Sequence, residues 1–139
     1  MNHFAIFAHG KSLDVDALAE QSTLRADKVW RRGELRGAGR YQTSGFLIGL
    51  GNGAELTYGA QVQTAFEFLR DNQHQLLALG QFEGVDTFIL GVQFNIQLEE
   101  NTVGFTVDFP ARLMEQALKV GVNLVAYVSL IREVCEGDA

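Results

Sequence analysis

The run from Thr87 to Leu98 constrains the fold more than any other stretch of this chain. Phe88, Leu90, Val92, Phe94, Ile96 and Leu98 are apolar at every second position and alternate with Gln93, Asn95 and Gln97. Successive side chains of a strand point to opposite faces of a sheet, so the pattern asks for one buried and one wetter face. Such a strand belongs in a mostly antiparallel sheet covered on one side. The cover is expected from helical periodicity. Val62, Phe66, Leu69, Gln73 and Leu76 recur at spacings of four, three, four and three, which predicts a long helix over about 56–79. Gln63, Glu67, Arg70 and His74 fall on its wet side, and Gly80 is its expected stop.

The other elements follow from shorter signals. Phe4 to His9 reads as a central apolar strand. Asp14, or Ser12, offers an acceptor for the free amides of a short helix that buries Val15, Leu18 and Ala19 and ends near Gln21. Lys28 to Arg32 reads as a strand with Val29 and Trp30 on opposite faces. Gly33 and Gly37-Ala38-Gly39 form a loop, and Tyr41 to Leu50 returns as a strand in which Gly45 marks a bulge or a close backbone approach. Glu99-Glu100-Asn101 is expected to turn the chain so that the segment from Val103 to Val107 pairs with the long strand. Asp108-Phe109-Pro110 opens a third helix, with Leu113, Met114, Ala117 and Leu118 toward the core and Gly121 at its end. Val122 to Leu130 is the final strand. The expected architecture is α+β: one domain over residues 1–139, a two-layer sandwich with helices on one face of a mostly antiparallel sheet, in the order β-α-β-β-α-β-β-α-β. The tail from about residue 134 is expected to fray.

Charge is unevenly spread. The net charge is −6, yet the segment from Arg25 to Arg40 holds six basic residues against two acidic ones. The remainder holds five basic and fifteen acidic residues. A basic segment on an acidic body marks either an anion-binding patch or a solvated hairpin whose arginines pair with nearby carboxylates. Cys135 is the only cysteine, so no intrachain disulfide forms and nothing calls for an oxidising compartment. The start, Met1-Asn2-His3-Phe4-Ala5, lacks the basic opening and apolar core of a secretory signal. No apolar run approaches the roughly 20 residues of a membrane span. A cytoplasmic protein without a membrane role is expected.

Several pieces resemble, in order, the bacterial domain-of-unknown-function family numbered 4279. They are the apolar first strand, Leu13-Asp14-Val15-Asp16 opening a helix, Val29-Trp30-Arg31-Arg32-Gly33-Glu34, then Arg40 and Ser44-Gly45-Phe46, and near the end Gly104-Phe105, a short helix and an apolar strand. A Trp that the family often carries in the second hairpin strand is replaced here by Phe46 or Leu47. The resemblance implies a fold of this kind and no established activity.

The signals for chemistry are weak. His3, His9 and His74 have no metal-ligand spacing, and Cys135 has no His near it in sequence. The glycines from Gly33 to Gly39 lack the Gly-Lys-Ser/Thr of a phosphate-binding loop. The pairs Asp14/Asp16 and Glu99/Glu100 read as a helix cap and a solvated turn. No catalytic residue, metal or cofactor is expected, and the chain is not expected to be an enzyme. A basic hairpin with Trp30 and Tyr41 is able to stack on bases and touch phosphates, but a pI near 4.9 runs against nucleic-acid binding.

Two readings of function remain. The first is a protein that acts by binding another protein, in the manner of acidic immunity proteins that neutralise basic toxins, or by binding copies of itself through an uncovered face of the long strand. The second is a small-anion site formed by Trp30, Arg31, Arg32, Arg36, Arg40 and Tyr41. It requires those arginines to converge.

Overall fold

The structure is a computed structural model that describes residues 3–51, 57–98, 104 and 106–132. Strand β1 (His3–Gly10) is followed by helix α1 (Val15–Gln21), strand β2 (Lys28–Trp30), the short strands β3 (Leu35–Arg36) and β4 (Gly39–Arg40), and strand β5 (Ser44–Leu50). Helices α2 (Tyr58–Asp71) and α3 (Gln73–Gln81) precede strand β6 (Thr87–Leu98), helix α4 (Ala111–Val120) and strand β7 (Asn123–Arg132). The main sheet runs β2-β5-β1-β6-β7, and β3 pairs with β4 in a separate two-stranded hairpin. All neighbours in the main sheet are antiparallel except β6 and β7, which are parallel. The chain is therefore an α+β protein with a mostly antiparallel sheet.

The alternation in β1, β5 and β6 sets one face of this sheet against the helices. Ile6 stands opposite Ile48 on one side and Leu90 on the other, and Phe4 stands opposite Val92. These residues join Val15, Leu18, Val62, Leu69, Leu76, Leu113 and Val120 in one buried cluster. Each fully buried Leu, Ile, Val or Phe contributes about 1.5–3 kcal/mol of transfer free energy. The other face of the sheet carries Phe7, His9, Leu47, Trp30 and Tyr127, and no helix covers it among the described residues.

Local chemistry explains the helix ends. Asp14 caps α1 by accepting from the Ala17 N–H at 3.1 Å, and Thr57 caps α2 by accepting from the Ala60 N–H at 3.1 Å. Gly121, at φ 75°, closes α4 through its N–H to the Leu118 carbonyl, while the Val122 N–H reaches Ala117 O at 3.0 Å.

Several expectations need correction. The expected order β-α-β-β-α-β-β-α-β is only roughly matched, because the expected loop between β2 and β5 contains the short strands β3 and β4. In α1 only Val15 and Leu18 are buried, and Ala19 is exposed. The long helix is two helices, broken at Asn72 (φ −117°, ψ 28°), whose side-chain amide donates to the Phe68 carbonyl at 3.0 Å. Gly80 is not the stop, because α3 runs to Gln81; a Cβ at Gly80 would lie 2.6 Å from the Phe88 ring, so the glycine serves close packing. The partner of β6 is the parallel strand β7 rather than a returning hairpin. Most of the expected returning segment lies outside the described residues, and Gly104, Thr106 and Val107 are not in a strand. Finally, α4 buries Leu113, Gln116, Ala117 and Val120, leaving Met114 and Leu118 exposed. Cys135 lies outside the described residues.

Candidate functional site

The basic segment is laid out around the uncovered face of the sheet. Its strand β2 pairs with β5 so that Val29 lies opposite Phe46, toward the helices, and Trp30 lies opposite Gly45, on the uncovered face. A side chain at Gly45 would run into the Trp30 ring, so the glycine makes room for the indole to lie flat on the sheet. Tyr41 stacks on the indole with ring centroids 5.6 Å apart and planes at 24°. Trp30 is thereby only 9% exposed although it faces away from the core. The β3–β4 hairpin reaches this stack through Arg36, whose guanidinium carbon lies 5.5 Å from the centre of the Tyr41 ring. Lys28 brings its ammonium to 5.8 Å from the same centre.

A groove of about 380 Å³ results. Phe7 and Leu47 line it between the Trp30–Tyr41 stack and Tyr127 of β7, and His9, Lys28, Arg36 and Arg40 supply its ionisable nitrogens. Tyr127 is itself accommodated by a glycine: a Cβ at Gly91 would lie 2.9 Å from its ring and 3.2 Å from that of Phe7. No acidic residue is among the described lining residues. Lys28, Arg36 and Arg40 form no ion pair with a described carboxylate. Arg40 donates to the Gly33 carbonyl at 2.7 Å, which leaves its charge uncompensated. His9 Nδ1 is buried and has no hydrogen-bond partner among the described residues.

The candidate residues therefore divide. Trp30, Arg36, Arg40 and Tyr41 converge on the groove. Arg31 points elsewhere and is held by Asp16 and Glu34, with its Nε donating to Asp16 Oδ2 at 3.0 Å. The hydrogen bond from Arg31 holds the Asp16 carboxyl below the ordinary aspartate range, and the same bond raises the guanidinium. The Arg32 backbone N–H donates to Ser44 Oγ at 2.9 Å, and its guanidinium reaches the Lys11 carbonyl at 3.5 Å. Phe7, Leu47 and Tyr127 were not among the sequence candidates, and Lys28 and His9 were visible there only as the start of the basic hairpin 28–41 and as a histidine ending the first strand. Strand parity places each on a definite face, but the strand order that brings those faces together is a long-range property.

A second cavity of about 460 Å³ lies between α1 and α3, around Leu18, Ser22, Gln75 and Phe82. His74 is its only ionisable lining residue among the described residues, so it offers little basis for selecting a charged ligand. No group of three or more His, Cys, Asp or Glu residues fit to hold a metal occurs among the described residues. No helix among them is long and apolar enough to cross a membrane. Comparison of the chain with protein families, curated proteins and solved structures returns no match.

Proposed function

We propose that this chain is a binding module whose open-face groove holds a small anion carrying a planar or apolar body. One observation carries the reading: Lys28, Arg36 and Arg40 converge, without acidic neighbours in the lining, on an aromatic stack in a chain of net charge −6. Like charges gathered beside low-dielectric ring faces repel one another, and a bound anion relieves that repulsion. The guanidinium groups of Arg36 and Arg40 suit a carboxylate or phosphate, whose paired oxygens match their forked donors. Phe7, Leu47 and Tyr127 supply apolar surface for the rest of the ligand. A volume of about 380 Å³ falls within the range of small-molecule sites. Capture of a basic protein partner draws on net charge alone and assigns no residue, so the groove is the better supported reading. The resemblance to the family numbered 4279 adds no activity to it.

A thermal-shift series with inorganic phosphate, aromatic carboxylates and nucleoside monophosphates tests the proposal. Ligand at about 100 times its Kd adds about 2.7 kcal/mol to stability, which raises the Tm by several degrees. Arg36→Ala/Arg40→Ala is expected to abolish the rise, while Arg31→Ala/Arg32→Ala keeps it. No rise with any of these anions, or equal loss in both double variants, removes the support for a site in this groove.

A further inference from the structure

The two edges of the main sheet are unlike. The β2 edge is three residues long and begins with Lys28, a short and charged edge of the kind that resists further pairing. The β7 edge is ten residues long, and from Asn123 to Ile131 it carries neither charge nor proline. Its outer backbone groups have no strand partner among the described residues. Leu130 is 53% exposed and Ile131 is 51% exposed, and they project to opposite faces; Tyr127 and Val128 repeat the arrangement nearer the middle. Ten extended residues span about 33 Å. An uncovered apolar edge of that length is a template for another strand.

We infer that β7 pairs antiparallel with β7 of a second copy of this chain, joining two sheets into one about a two-fold axis. Charge permits this occupant. A copy approaching by its acidic surfaces is repelled, whereas an uncharged strand meets its own image without opposing like charges. The pairing is also self-complementary. With Val128 opposite itself, Ala126 meets Leu130 and Val125 meets Ile131, and Tyr127 meets Ser129; opposed residues then share a face, as antiparallel pairing requires. The axis stands perpendicular to the sheet, so both helical layers lie on the same side. This inference does not rest on the groove proposal, although Tyr127 belongs to both surfaces.

Sedimentation velocity of the full chain over a range of concentrations tests it. The expected result is a species of twice 15.3 kDa that Leu130→Lys/Ile131→Lys dissociates and that Leu118→Lys, on the exposed face of α4, leaves intact. Hydrogen exchange on the unaltered protein guards against a variant that fails to fold: β7 amides are expected to gain protection as concentration rises, and β2 amides are not. A monomer at every concentration overturns the inference. So does a dimer that survives the double lysine variant or is lost equally in Leu118→Lys, and so does a monomer that takes up an extended peptide along β7.

Discussion

Gly45 and Trp30 show how closely one residue's identity is tied to the position of another. The indole lies on the sheet because Gly45 has no side chain, and Gly45→Ala forces the ring off that surface. Overpacking of this kind costs about 1–3 kcal/mol. The expected outcome is a lower urea midpoint with an unchanged m value, together with a red-shifted emission from the single tryptophan. Asp16 offers a second test at this scale. Its folded-state pKa is depressed, so its contribution to stability is present above the ordinary aspartate pKa and is lost as the pH falls through the folded value. A carboxyl-carbon NMR titration is expected to place Asp16 below the ordinary range and to move it upward in Arg31→Ala. An unchanged midpoint in that variant contradicts the assigned cause. The sequence marked Gly45 as a special position, because a glycine inside an apolar strand has few other uses. It pointed to a bulge or a close backbone approach, but what lies over the glycine is the Trp30 side chain. The pairing of Arg31 with Asp16 was not legible there, since fifteen residues and a change of element separate them.

Among the elements, periodicity identified what it physically governs. The strand β6 and the buried positions Val62, Leu69 and Leu76 follow from it, while β1 was legible as an apolar run and β5 as the return from a glycine-rich loop. Periodicity did not reveal the break at Asn72, because α3 continues the phase of α2 closely enough for Leu76 to reach the same core. In α4 hydrophobicity pointed one step around the helix, to Met114 and Leu118. The buried set Leu113, Gln116, Ala117 and Val120 has the i, i+3, i+4, i+7 spacing but includes a polar residue, whose amide donates to Gln73 Oε1 at 3.4 Å. The contrast is measurable. Leu90→Ala, at a position with 0% exposure, is expected to cost about 2–5 kcal/mol in denaturant unfolding. Leu118→Ala, at 82% exposure, is expected to stay within about 0.5 kcal/mol of the parent. Comparable losses at both positions contradict the assigned face. The partner of β6 escaped the sequence for a different reason: Glu99-Glu100-Asn101 reads in the sequence as a local hairpin signal, whereas a parallel neighbour arrives only after a crossover through α4.

Over the whole molecule, the sheet divides the labour of its two faces. One face, under four described helices, supplies the core; the other holds aromatic rings and cations in a groove whose local charge opposes that of the chain. The unequal edges carry a further consequence. A protein with two open edges adds copies at both and grows without limit into fibres. Here the short, lysine-bearing β2 resists extension, so an assembly built through β7 uses the single receptive edge of each member and closes at two. On the inferred pairing, the three residues of β2 at one margin of the sheet separate a finite pair from an open-ended polymer.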